Sequence, residues 1–362
     1  MNVLLLGALM GNGGITSWTK KYIKDFPNDE FKLFPIKEAL SDKVGVEEWS
    51  KTKRAVVGLQ ELKYILDQVK DVLRKDRMDI FHTTTSGSLG SLRDYVVGKY
   101  CHKKGMKTVM HCRYGCMPDM LKSRFWKYVI LKSMKHYDQV WVLDSHTFNA
   151  LKQIPETSDK VRLTPNCIRV PEIKEIPPKS YQNIAFIANI YKQKGIFELI
   201  EAFKKAKANI SLHIVGPASE EIKDELNSVI EGCGEKIKYY GPLANADAVL
   251  FLEKMDGIAL PTYYPSEAFP ISIIEAMSRA KLVISTRRAA INDMLTARDG
   301  SNCGIFVREQ NIEDLVEALE WIDAHHNEAD ELCRKAYDKV LNCYDTDVVY
   351  DLYRTNYRAL FN

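Results

Sequence analysis

No run of 18 apolar residues occurs anywhere in this 362-residue chain, so no helix long enough to span a bilayer is expected. The eight cysteines (101, 112, 116, 167, 233, 303, 333 and 343) include no Cys-x2-Cys pair. Cys112 and Cys116 are the closest two, and no His or Cys cluster beside them completes a zinc set. They read as free thiols of a reducing compartment. Low-complexity tracts and short repeats are lacking too. The apolar opening from Val3 to Met10 has no basic leader and runs into Gly11-Asn12-Gly13-Gly14. It therefore reads as a first buried strand and its turn rather than as a signal peptide. The turn also fails as a dinucleotide fingerprint, because Gly-x-Gly-x-x-Gly is not matched.

What is present fits a cytoplasmic two-domain enzyme. Apolar residues make up 46% and charged residues 27%, ordinary values for a globular protein. The length exceeds what one core of usual size organises, so two domains are the natural expectation. The net charge of +3 conceals an asymmetry, with +10 over residues 1–168 and −7 over the remainder. A basic half joined to an acidic half suggests that one half faces a polyanion or an anionic membrane surface.

Short apolar runs alternate with helix-length segments. Strands are expected at 3–7, 79–82, 108–111, 139–143 and 161–164, with a helix from about Ile15. A loop rich in proline (Pro165, Pro171, Pro177, Pro178) follows as a linker, and a second series runs at 183–188, 211–216, 236–241, 257–260, 282–285 and 304–307. This is the pattern of parallel βαβ units. The expected architecture is α/β, two Rossmann-like doubly wound domains facing a central cleft at the carboxyl ends of their strands. Val348, Val349, Leu352, Tyr353 and Leu360 stand at helical spacing in the tail.

The most informative stretch is Tyr264-Pro265-Ser266-Glu267-Ala268-Phe269-Pro270-Ile271-Ser272-Ile273-Ile274-Glu275-Ala276-Met277-Ser278, with seven residues between two carboxylates. Pro270 suits a first helical position. Glu267 then lies in the loop before the helix and Glu275 about one and a half turns inside it. Backbone N–H groups near Ile271 and Ser272 would point from a positive helix end, a site for phosphate. Anion donors flanked by two carboxylates that accept hydroxyls suit a sugar nucleotide. A strand-like run ending in Pro261 precedes the loop, and the apolar run 282–285 follows the helix.

This stretch resembles the Glu-x7-Glu signature of family-4 retaining glycosyltransferases of the bacterial surface-polysaccharide type. Asn183-Ile-Ala-Phe-Ile-Ala-Asn-Ile-Tyr-Lys-Gln-Lys194-Gly195 is similar to that family's strand and loop ending in Lys-Gly. There an Arg and a Lys contact the donor diphosphate; Lys194 matches the Lys, and Asn189 occupies the Arg position. Lys192, Arg113 or the pair Arg287-Arg288 would supply the second charge. Gly13, Gly14 and Thr16 resemble the family's N-terminal Gly-Gly loop. His111, at a strand end before Cys112-Arg113, matches its active-site histidine, with Arg113 as an anion contact.

The resemblance implies the GT-B architecture. Residues 1–168 would form the acceptor-binding domain and 169–344 the nucleotide-sugar domain, with 345–362 a helix crossing back to the first. The implied reaction is retaining hexosyl transfer from a UDP-sugar, or a GDP-sugar, to a glycan or polyprenyl-diphosphate-linked glycan in polysaccharide biosynthesis. Glu267 and His111 would be catalytic. Lys194, Asn189, Glu275, Phe269, Pro270, Ile271, Ser272, Gly13 and Gly14 would bind the donor. No metal, other cofactor or nucleic acid is expected. A sugar-nucleotide 2-epimerase and a non-catalytic membrane scaffold are the alternatives on the same fold. Where the family carries glycine, this chain has Ala268, Ala280 and Ala289-Ala290. Asp345-Thr346-Asp347 imitates a metal motif, but its place before the last helix marks it as a cap. The segment 121–137, with five Lys/Arg beside Phe125, Trp126, Val129 and Ile130, reads equally as a core-packed helix or as an interfacial one on the inner face of an anionic membrane.

Overall fold

A computed structural model describes residues 1–11, 13–40, 50–87 and 90–362. The chain divides into two compact units, Met1–Pro165 with Tyr350–Asn362, and Asn166–Val349.

The first unit is built on a six-stranded parallel sheet: β1 (Asn2–Gly7), β2 (Lys32–Lys37), β3 (Ile80–Thr85), β4 (Lys107–Cys112), β5 (Gln139–Val142) and β6 (Val161–Leu163). Their order is β2-β1-β3-β4-β5-β6. All six residues of β3 and all four of β5 are buried, as expected for strands covered on both faces. β2 has no counterpart in the sequence pattern, because its apolar residues are interrupted by Pro35 between charged ends. It lies at the sheet edge, where a residue without an N–H is tolerated, with Pro35 in register with Leu5. Strand order reverses between β1 and β3, so the loops leaving these two strands diverge.

The C-terminal helix Thr346–Arg358 contributes tyrosines to this unit's core. Its buried face is Val349, Tyr350, Tyr353 and Tyr357, while Val348 and Leu352 are exposed. Apolar spacing alone misplaces that face, because tyrosine buries its ring and needs only one partner for its hydroxyl. Tyr353 donates to the Pro165 carbonyl at 3.0 Å, and the Tyr22 and Tyr357 hydroxyls are 2.9 Å apart. Asp345 acts at the start of this helix as a cap, accepting from the backbone N–H groups of Val170 and Asp347.

Segment 121–137 is not one helix. Ser123 is extended and caps a new helix, separating Met117–Lys122 from Arg124–Met134. A serine between two helical patterns competes for backbone hydrogen bonds and starts the second helix instead of continuing the first. Nor do its apolar residues share a buried arc. Ile130 and Met134 are buried, but Phe125 and Tyr128 are 66% and 64% exposed.

The second unit holds β7 (Asn183–Ile187), β8 (Ser211–Val215), β9 (Ile237–Tyr239), β10 (Gly257–Leu260), β11 (Leu282–Ser285) and β12 (Ile305–Phe306). The order is β12-β11-β10-β7-β8-β9, again all parallel. Successive strands run outward from β7 in one direction and from β10 in the other. The crevice of such a sheet opens where the two series part, between the loops that follow β7 and β10.

Candidate functional site

Those two loops carry Lys194 and Glu267. After β7 the chain passes half-buried Ala188 and exposed Asn189, then makes one 3-10 turn, Lys192–Lys194. Gly195, at φ +76°, opens the helix Ile196–Lys205. A Cβ at Gly195 would stand 2.3 Å from the Pro261 carbonyl oxygen, so only glycine lets this turn lie against the end of β10. The backbones are joined as well, with the Tyr263 N–H donating to the Gln193 carbonyl at 2.8 Å. Threonines brace the second loop: Tyr264 N–H donates to the Thr262 hydroxyl at 3.2 Å, and Thr286 donates to the Thr262 carbonyl at 2.6 Å.

On this frame Lys194 and Glu267, 73 positions apart in the chain, form an ion pair with side chains 12% and 9% exposed. The Lys194 ammonium also lies 5.2 Å from the centroid of the Tyr264 ring. Nothing in the sequence pattern singles out Tyr264. Half-exposed Tyr191 stacks over Tyr264, with ring centroids 6.1 Å apart.

The helix carrying Glu275 is Ile271–Met277, one residue later than expected. Pro270 precedes it with φ −65° and ψ 116°. The proline ring fixes φ but leaves ψ outside the helical range, so Pro270 is the cap and not the first turn. Phe269 is buried edge-on against Tyr344, and its carbonyl accepts from Asn166. Glu275 is half-buried in the helix, and Ile271 and Ser272 form its partly exposed first turn. Ala280 and Ala289 adopt φ +49° and +44°, so both positions keep the backbone that favours glycine although alanine stands there.

Each cation considered for a second phosphate charge in this unit has a protein partner. Lys192 pairs with Glu225 at 2.7 Å, and Arg288 grips Glu309 with two bonds of 2.8 and 3.0 Å. Arg287 donates to Asn292 and stacks on Phe306.

In the first unit, Gly13 and Gly14 sit at the start of the helix Gly14–Asp25, with open space where a Cβ would be. Asn12, between Gly11 and Gly13, lies outside the described residues. Thr16 is buried and donates to the Met10 carbonyl at 3.0 Å, closing the loop after β1. His111, near the end of β4, is fully buried. Arg113 Nη1 lies 3.3 Å from His111 Nε2, and its guanidinium stacks 4.1 Å from the Trp18 ring. Because arginine only donates, this contact assigns the imidazole proton to Nδ1, which has no hydrogen-bond partner among the described residues. Trp18 is a further residue that sequence reasoning missed.

His82 and His111 lie 5.5 Å apart in this aromatic cluster. Burial, helped by the Arg113 charge, lowers His82 from 6.5 to about 3. Burial, Arg113 and His82 hold His111 well below its usual value. Both are neutral in the folded protein, whereas the unfolded chain takes up two protons near 6.5. Their stabilisation is complete above that value and is lost as pH falls below it, for His82 from about 6.5 toward about 3. The urea midpoint is therefore expected to be lower at about pH 5 than at about pH 7.5. Equal midpoints would contradict the burial of neutral imidazoles.

Residues 171–339 match the family model described as Glycosyl transferases group 1. The whole chain shares its fold with glycosyltransferase structures. Sucrose-phosphate synthase from Thermosynechococcus elongatus aligns with TM-score 0.77 at 14% identity over 99% of each chain. The Anabaena protein HepE, solved with UDP-glucose, aligns with 0.73 at 14% identity over 99% of this chain and 100% of that one. A glycosyltransferase from Rickettsia africae gives 0.74 at 18% identity over 100% and 98%. No curated protein matches in sequence. The class defined by these findings is the α/β GT-B fold, with two parallel six-stranded sheets. Within it, the stretch similar to the group 1 glycosyl transferases lies in the second unit.

Proposed function

We propose that this chain is a retaining glycosyltransferase that moves a sugar from a nucleotide-sugar donor to a glycan or lipid-linked glycan. The observation that carries the reading is the meeting of Lys194 and Glu267 at the strand-order reversal of the unit matching the family. A departing diphosphate needs positive charge and fixed dipoles at that place. Lys194 and the backbone N–H groups of Ile271 and Ser272 supply them, so no divalent metal is required. Glu267 accepts from donor-sugar hydroxyls and Glu275 from the ribose. Asn189, Phe269 and Pro270 complete the donor side within this unit. In the first unit, His111 is assigned to the sugar or the acceptor, and Arg113 and Thr16 to a diphosphate or the acceptor. UDP is the favoured nucleotide, because HepE was solved with UDP-glucose.

Incubation with a panel of UDP- and GDP-sugars, with and without lipid-linked acceptors and in excess EDTA, tests the reading. Acceptor-dependent nucleotide release, with the anomeric configuration retained by NMR, supports it. An isomerised donor without acceptor would assign the epimerase instead. Turnover that EDTA abolishes and magnesium restores would refute the leaving-group role of Lys194.

The acceptor is proposed to be presented on an anionic cytoplasmic leaflet. Among the described residues no helix is long and apolar enough to cross a membrane. Exposed Phe125 and Tyr128 stand among exposed Lys122, Arg124, Lys127, Lys132 and Lys135, a combination that gains from lipid and from charge together. Changing Lys127, Lys132 and Lys135 to Glu is expected to weaken sedimentation with phosphatidylserine vesicles by about 1 kcal/mol per lysine removed. Equal binding to neutral vesicles would favour a soluble acceptor.

A further inference from the structure

We infer that Glu267 is the resident counter-ion of Lys194, and that a diphosphate ligand must take Lys194 from it before the sugar can be gripped. The inference rests on the nucleotide-sugar reading above and adds an order of events to it. The ammonium that is to hold phosphate is already neutralised by Glu267, with both side chains largely shielded from water. A phosphate arriving there meets a paired charge and not an open cation. The neighbouring cations offer no easy substitute, since Lys192 is held by Glu225 and Arg288 by Glu309.

The exchange needs no loop opening. Gly195 is seated against Pro261, and the Tyr263 N–H holds the Gln193 carbonyl, so the two backbones stay together. Rotation of the two long side chains is enough. The Tyr264 ring, 5.2 Å from Nζ, stabilises the ammonium while its anionic partner changes.

Glu267 thereby couples two grips. When phosphate oxygens replace its carboxylate at Lys194, the freed carboxylate turns to donor-sugar hydroxyls. A nucleoside diphosphate without a sugar takes Lys194 but leaves Glu267 with neither partner. An unpaired, largely buried carboxylate is costly, so the intact donor is held in preference to the spent nucleotide. Glu267 is in this way a specificity-determining residue that favours substrate over product.

Calorimetric titration of wild type and Glu267→Gln with UDP and GDP tests this, with uridine and guanosine as phosphate-free controls. Removing the competing charge frees Lys194, so the diphosphate dissociation constant is expected to fall about tenfold while the nucleoside constant stays unchanged. Glu267→Asp, which keeps the charge but shortens its reach, is expected to lie between the two and serves if the Gln variant does not fold. Diphosphate affinity unchanged or weakened in both variants, with nucleoside binding intact, would overturn the counter-ion role and leave the nucleotide site standing. Equal tightening of nucleoside and diphosphate would overturn it too. No binding of any of the four probes would remove the nucleotide-sugar reading itself, and this inference with it.

Discussion

Lys194→Ala is expected to lower kcat for glycosyl transfer by about two to three orders of magnitude, the usual consequence of removing one fixed donor from a developing negative charge. The side chain reaches its place from a one-turn helix whose end is fixed by Gly195 against Pro261, so no neighbouring lysine can take over. Lys192 projects instead to Glu225. Lys194→Arg is expected to restore activity only in part, because a planar fork replaces a compact ammonium over the Tyr264 ring. The alanine variant also strands Glu267. Leaving that largely buried carboxylate without its partner is expected to cost about 3 kcal/mol of stability. The double variant Lys194→Ala, Glu267→Ala removes the stranded charge, so its thermal stability is expected to recover while its turnover does not. Steady-state kinetics and melting curves of the three variants separate the chemical role from the structural one. Recovery of activity in the double variant would show that Lys194 merely neutralises Glu267.

Gly195→Ala is expected to destabilise the second unit by about 3 kcal/mol, from left-handed strain together with a backbone clash. The residue sits at φ +76° and ψ 22°, and its new methyl would meet the Pro261 carbonyl at 2.3 Å. That carbonyl cannot withdraw freely, because the next loop residues are bonded to Gln193. For a unit of this size such a loss lowers the melting temperature by about 8 °C. Gly14→Ala is the matched control, since open space surrounds its Cβ position and the residue begins a helix. It is expected to leave the melting temperature unchanged. Similar melting of the two variants would contradict the close approach of the loops after β7 and β10.

Where strands are buried on both faces, their apolar runs are legible in the sequence, and the series at 257–260 and 282–285 agrees with β10 and β11 residue for residue. Edge position hid β2, whose proline and charged ends suit a half-solvated strand and not an apolar template. The packing face of the last helix was hidden by chemistry, since tyrosine reads as neither core nor surface in a periodic pattern. A single capping serine divided the basic segment, and Phe125 and Tyr128 lie exposed on its second helix. At the candidate site, the motif residues Lys194, Glu267 and Glu275 could be named from their local sequences. The ion pair between Lys194 and Glu267 could not, because strand order, not sequence distance, brings the loops after β7 and β10 together. For the same reason the partners of Lys192 and Arg288 could not be read from their positions in the chain.

Hydrogen exchange of the full chain with and without saturating UDP tests the placement of the donor most directly. The proposed site predicts slowed exchange in two segments, residues 188–195 and 261–272, which carry the phosphate-facing groups of the β7 and β10 loops. Ligand binding at these loops raises the free energy of their local opening. Protection that leaves both segments unchanged while UDP binds elsewhere would contradict the assignment of Lys194 and Glu267 to the donor site.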